Sequence, residues 1–179
     1  MRKNNVLDIL RIAAVLCLIC GIMAGLLAVI NGLTKTRIAA NEKQKETEAI
    51  AAIFGDTITV GEDIQTFSPV DKLAPVMRDG KLLGYAVSVT GSGFGGDIDM
   101  IVGVAEDGTV LGVQILTLSE TPGLGARVAE DSFLSRFTQS TPPYSVGENI
   151  DAVAGATISS RAVAAAVNAA VEAAQNVEG

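Results

Sequence analysis

The sequence predicts an α+β fold behind a single membrane-spanning helix, and three observations carry that reading. Ile12 to Ile30 is a run of 19 residues without a charge, about the length of a helix that crosses a bilayer. From about residue 57 to 118, apolar and polar residues alternate, with Asp-Gly pairs between the runs, as in an antiparallel meander. Helical patterns then follow the strands instead of alternating with them, which is the order of an α+β domain. The chain divides into a flank and transmembrane helix (1–33), a helical stalk (34–56) and a sheet-and-helix domain (57–179).

The charge distribution sharpens this division. The chain has 13 Lys+Arg and 20 Asp+Glu, for a net charge of −7. Residues 1–37 hold five basic groups (Arg2, Lys3, Arg11, Lys35, Arg37) and one acid, Asp8, so the rest of the chain carries a net −11. A basic N-terminus suits a membrane flank. An acidic body excludes nucleic acid as a partner, because neutralising phosphates needs a basic face. There is no histidine, which removes the usual general base, the usual zinc ligand and every His-based triad.

In chain order, the apolar run is longer than a signal-peptide core and lacks a lipobox-like pattern before either cysteine, so it is expected to remain as the anchor. Cys17 and Cys20 lie inside it and read as small buried hydrophobes, while a redox or metal role for this pair stays open. Basic residues flank the run on both sides, so the positive-inside rule does not orient it. Residues 34–53 continue as a polar helix with an apolar edge, ended by Gly55 and Asp56. Leu83 to Thr90, Met100 to Ala105 and Thr109 to Leu116 are strands, the last with Leu111, Val113 and Ile115 on one face. Asp79-Gly80 and Asp107-Gly108 are the hairpin turns. Ala126 to Phe137 is expected as one helix and 140–144, with Pro142-Pro143, as a loop. The last helix, from about Ser160 to Val177, covers the sheet with Val163, Val167 and Val171.

Three stretches carry the polar chemistry. Gly91-Ser-Gly-Phe-Gly-Gly96 fits G-x-G-x-x-G, but a dinucleotide site needs a helix to open there. Here Asp97-Ile-Asp-Met-Ile-Val leads into another strand. The glycines then serve either a hairpin connection or a backbone that comes close to a flat ligand. Ser119-Glu-Thr-Pro-Gly-Leu-Gly125 places an acceptor and a hydroxyl, Glu120 and Thr121, just after a strand. Pro122-Gly123 makes a turn, and Leu124 stands between glycines, where an apolar side chain suits a planar ring. Asp151-Ala-Val-Ala-Gly-Ala-Thr157-Ile-Ser-Ser160 puts Thr157, Ser159 and Ser160 at the mouth of the last helix. Unpaired N–H groups and the helix dipole favour an anion there. Taken locally, any of these hydroxyls is a helix cap. With neither histidine nor lysine beside it, Thr157 is no self-activated nucleophile, so a covalent bond to its oxygen would have to be made by another enzyme.

These motifs together resemble the G subunit of the Rnf ion-translocating electron-transport complex. More distantly the chain is similar to the C subunit of the sodium-pumping NADH:quinone reductase and the wider FMN-binding domain family. The resemblance spans nearly the whole chain: the membrane helix, the stalk, Gly93-Phe94-Gly95-Gly96-Asp-Ile, Ser119 to Gly125, and Asp151 to Ser160. It implies that FMN is esterified through its phosphate to the threonine of Gly-Ala-Thr, which is Thr157, by a magnesium-dependent flavin transferase with FAD as donor. It also implies Glu120, Thr121, Leu124 and Gly125 as flavin neighbours and Asp151, Gly155, Ala156, Ser159 and Ser160 as further FMN-binding positions of the flavinylation motif; with Thr157 given to the ester, the cap role passes to Ser159 or Ser160. The flavin domain would lie on the outer face of the cytoplasmic membrane, with the N-terminus inside. One departure is Ala154, where relatives often carry Ser or Thr, which removes one possible hydrogen bond to the phosphate.

The expected function is a membrane-anchored electron carrier within a multisubunit complex between NADH and ferredoxin, coupled to Na⁺ or H⁺ movement, with covalent FMN and no metal or catalytic residue of its own. Two alternatives within redox proteins are a stand-alone flavinylated module and a component of a sodium-pumping quinone reductase. From another class, a pilin-like structural protein shares the order of membrane helix, stalk and antiparallel sheet. A hydrolase built on Ser159 or Ser160 has no base to support it.

Overall fold

The structure, a computed structural model, describes residues 2–66 and 68–177. Met1, Phe67, Glu178 and Gly179 lie outside it, and with them the two ends of the expected domain ranges. The chain separates into two compact units, residues 1–44 and 45–179. The first is helical. α1 runs as one helix over Arg2–Phe54, and its segment Ile9–Gly32 is 24 residues long, with mean hydropathy 2.8 and none of it buried within the protein. Among the described residues it is the one helix long and apolar enough to cross a membrane.

The second unit is an antiparallel sheet with both faces covered. Its strands are β1 (Thr59–Val60), β2 (Ile64–Gln65), β3 (Val70–Arg78), β4 (Lys81–Ser92), β5 (Asp97–Val104) and β6 (Val110–Leu118), in the order β1-β3-β4-β5-β6, with β2 also on β3. The break between β1 and β2 faces Pro75. Proline has no N–H to give to a ladder, and a Cβ at Gly61 would come within 2.7 Å of its Cγ. β3 and β4 are joined at Asp79-Gly80, both with positive φ (52° and 75°), the two-residue primed turn that matches strand twist. Asp107-Gly108 lies in the β5–β6 connection, where the Asp107 carboxylate accepts the Thr109 N–H at 2.9 Å.

Pleating divides the core in two. Tyr85, Val87, Val89, Ile98, Met100, Val102 and Val113 face α4 (Thr157–Asn176), which buries Val163, Val167 and Val171 against them as expected. Ala86 and Ile101 point the other way, onto Ala49, Ile50 and Phe54 at the end of α1. Gly103 and Gly112 make the seat for that helix end, since a Cβ on Gly103 would lie 2.4 Å from Ile53 Cγ2.

Two expectations are corrected. Leu111, Val113 and Ile115 do not share one buried face. The register slips between Gly103 and Val104, and this bulge leaves Leu111 42% exposed while Val110 takes the buried place. The helix expected over 126–137 is three short pieces: a 3₁₀ turn (Gly125–Ala129), α2 (Asp131–Leu134) and α3 (Arg136–Gln139). Glu130, extended at φ −71° and ψ 140°, breaks it. Phe133 and Phe137 still meet edge to face, 5.5 Å apart. Phe137 packs in turn on Tyr144, whose hydroxyl donates to the Phe137 carbonyl at 2.8 Å and whose pKa burial pushes up to about 12.

Candidate functional site

The three polar stretches converge. A cleft of about 380 Å³ is lined by Phe94, Glu120, Thr121, Leu124, Gly125, Gly155, Ala156, Thr157, Ile158 and Ser159, within the size range of small-molecule sites. Each wall has a local cause. Gly93-Phe94-Gly95-Gly96 is the reversal between β4 and β5, closed by the Gly93 N–H on the Gly96 carbonyl at 2.9 Å, and it leaves Phe94 74% exposed. The 119–125 segment leaves β6 and folds over the Thr121 carbonyl, which accepts the N–H groups of Leu124 and Ala126. The third wall is a turn whose Ala156 N–H bonds the Val153 carbonyl at 2.9 Å. Gly155, with φ +79°, supplies the left-handed residue that this turn requires. The Leu124 side chain rests against this glycine, its Cδ1 2.9 Å from where a Cβ on Gly155 would be.

Glu120 ties the walls together. Its Oε1 accepts the Phe94 N–H at 2.7 Å and the Ser159 hydroxyl at 2.8 Å. Two glycines make room for the carboxylate, since a Cβ on Gly93 or Gly125 would lie 2.2 or 2.1 Å from one of its oxygens, and a third, Gly95, lets the turn pass the Ser119 carbonyl, which a Cβ there would strike. Burial pushes the Glu120 pKa up, but the Ser159 hydroxyl and the backbone N–H groups of Gly95, Phe94 and Thr121 outweigh it. They hold the carboxyl below the usual range, so it is an anion. Its carboxylate is thus satisfied by the protein's own donors, a role the sequence did not show.

α4 opens at Ala156, and no side chain caps it. The cap expected from Ser159 or Ser160 is formed by neither, because both hydroxyls are engaged elsewhere. Ser159 donates to Glu120. Ser160 donates to the Ala156 carbonyl and accepts the Val153 N–H, which stitches the turn to the helix. The first backbone bond of α4 runs from the Ser160 N–H to the Ala156 carbonyl. The N–H groups of Thr157, Ile158 and Ser159 therefore have no acceptor within the helix. Thr157 and Ile158 are exposed at that end.

Eight of the ten residues singled out from sequence line the cleft. Ser160 is fully buried behind it, and Asp151 lies outside the lining, with its carbonyl accepting a guanidinium N–H of Arg136. Phe94 and Ile158 were missed as site residues. Phe94's signal was an aromatic set among glycines, where no core position explains it. Among the described residues no group of three metal-ligating side chains occurs. The donors present suit FMN: a hydroxyl and first-turn N–H groups without an acceptor in the helix for its phosphate, and an apolar rim of Phe94, Leu124 and Ile158 for its ring.

Comparison with known proteins agrees. The FMN-binding domain family matches residues 93–172, which sets the pilin-like alternative aside, and the RnfG N-terminal region matches residues 1–53. The G subunit of the proton-translocating ferredoxin:NAD(+) oxidoreductase complex of Clostridium ljungdahlii is 28% identical, over 95% of this chain and 92% of its own. The G subunit of the Na(+)-translocating ferredoxin:NAD(+) oxidoreductase complex of Acetobacterium woodii is 30% identical, over 92% of this chain and 86% of its own. The crystal structure of the C subunit of the Na(+)-translocating NADH-quinone reductase from Parabacteroides distasonis shares the fold, with a TM-score of 0.52 and 18% identity over 73% of this chain and 89% of that one. Relatives that match from the apolar helix to the last helix, around an FMN-binding domain, place the chain in the family of G subunits of ion-translocating oxidoreductase complexes, membrane-associated electron-transfer proteins.

Proposed function

We propose that this chain is the electron carrier of its complex and holds FMN through a phosphoester on the Thr157 hydroxyl. The observation that carries the reading is the position of Thr157: exposed, first in α4, beside open N–H groups and on the lip of the cleft. FMN supplies the redox chemistry, and the protein holds, orients and tunes it. Thr157 provides the ester oxygen, the N–H groups of the first turn receive the phosphate oxygens, and Phe94, Leu124 and Ile158 offer apolar surface to the ring. Attachment is the work of a flavin transferase with FAD as donor. The Thr157 oxygen bonds to the FMN phosphorus, the pyrophosphate bond of FAD breaks, AMP leaves, and the hydroxyl proton passes to the transferase.

On this reading the domain stands on the outer face of the cytoplasmic membrane and exchanges electrons with other membrane subunits in a path between NADH and ferredoxin. A permanent bond prevents loss of the cofactor by dilution there. The test is intact-mass analysis of the full chain produced with the transferase. A mass increase equal to FMN less one water, absent from Thr157→Ala, is the expected outcome. An undiminished adduct on Thr157→Ala would overturn the assignment.

A further inference from the structure

Glu120 is the charged group nearest the heart of the cleft, and its arrangement goes beyond binding. It is 9% exposed, yet ionised. Its charge is held by hydrogen bonds from a hydroxyl and backbone N–H groups alone, and among the described residues no cation is paired with it. Buried carboxylates are usually offset by an opposite charge. A carboxylate stabilised by neutral dipoles alone keeps its net negative charge, which acts on whatever lies beside it. The bond from Ser159 also sets the first turn of α4. With Ser159 turned inward to Glu120, its neighbours Thr157 and Ile158 face outward on the cleft side.

We propose that Glu120 is a positioning residue that also acts electrostatically. Bonded to Ser159 and to the Phe94 N–H, it fixes the helix mouth that presents Thr157, and it sets an uncompensated negative charge on the cleft wall that makes electron addition to the flavin less favourable. This rests on the reading that Thr157 carries FMN.

The test uses the full chain produced with the transferase and compares wild type, Glu120→Gln, Ser159→Ala and Ser159→Thr, with Thr157→Ala as the control for the underlying reading. Two quantities are read: the rate of flavin attachment by intact mass, and the midpoint potential of the attached flavin by spectroelectrochemical titration. Glu120→Gln keeps the shape and removes the charge, so the potential should rise. Ser159→Ala should slow attachment by about tenfold, as expected for losing a hydrogen bond to a charged group, and Ser159→Thr should restore most of the rate. A merely structural Glu120 would leave the potential of whatever flavin is attached unchanged. If Thr157→Ala loses the adduct while Glu120→Gln titrates at the wild-type potential, the electrostatic role is overturned and the flavin assignment stands. If Glu120→Gln yields no flavinylated protein, Ser159→Ala decides, because a wild-type attachment rate there refutes the positioning role. An adduct that persists on Thr157→Ala refutes the underlying reading instead.

Discussion

The domain has two helix ends that meet the sheet, and they are finished in opposite ways. At the C-terminus of α1, Gly55 takes the left-handed conformation at φ +90° and its N–H bonds the Ala51 carbonyl at 2.7 Å. The Arg78 guanidinium from β3 donates to the Phe54 carbonyl, Phe54 is buried against Val76 and Ile101, and nearer the start of this unit Lys72 pairs with Glu46. Every device that closes a helix C-terminus is used: a glycine, a cation on the dipole and apolar cover. At the N-terminus of α4 none is used. Ala156 sits where a capping side chain belongs, and the two serines nearby spend their hydroxyls on the scaffold. An N-cap alanine forgoes about 1 kcal/mol relative to Ser or Asp. The two ends therefore differ: one is fastened to the sheet, and the other leaves its first N–H groups without an acceptor in the helix.

Substitutions at the two ends should separate stability from flavin attachment. The largest effect expected is complete loss of the FMN adduct in Thr157→Ala, with a melting temperature within a few degrees of the unmodified wild-type chain by circular dichroism. Thr157→Ser keeps the hydroxyl and should be labelled weakly. Next is Gly103→Ala at the closed end. Its Cβ would meet Ile53 Cγ2 at 2.4 Å and Phe54 Cε2 at 3.0 Å, so overpacking should cost about 1–3 kcal/mol in denaturant titration while the flavin still attaches. A Gly103→Ala chain that melts normally but loses its flavin would break that separation. Arg78→Met comes third, with a loss of about 1 kcal/mol from the uncapped carbonyl and no change in adduct mass. The loss is moderated because Arg78 Nε is itself buried with no hydrogen-bond partner among the described residues.

The smallest effect concerns pH. The Glu120 carboxyl titrates below its ordinary value of 4.5 in the folded domain, so the unfolded chain takes up this proton first. Its stabilisation is fully present above that ordinary value and is lost as pH falls through the folded value. Acid melts of the apo chain should show this loss in wild type and a shallower dependence in Glu120→Gln. Equal slopes would show that Glu120 contributes nothing to acid sensitivity.

Much of the fold was legible in local patterns. The apolar run, the primed Asp79-Gly80 turn and the Val163, Val167, Val171 stripe follow from period and turn chemistry alone. The β6 face was misjudged because a bulge shifts alternation by one residue without changing composition, and which strand residue is the extra one depends on its partner β5. The 126–137 helix fragmented at Glu130, an ordinary helix former overridden by the packing of its neighbours. In the site, Thr157, Leu124 and the glycine turns were readable as types in a pattern. Phe94 showed only as an aromatic set among glycines, because a glycine-rich turn does not fix which wall its side chain joins.

A membrane helix ahead of an acidic, histidine-free α+β domain, and three hydroxyls at a helix start, are written in neighbouring residues and can be read without coordinates. Which of those hydroxyls is open cannot, because it depends on contacts between distant segments. Glu120 meets Phe94 across 26 residues and Ser159 across 39, and those long-range bonds withdraw Ser159 from the helix mouth. The turn at Val153 withdraws Ser160. Thr157 is left exposed because its neighbours are taken, and such a competition for hydrogen bonds is resolved only when the chain has folded.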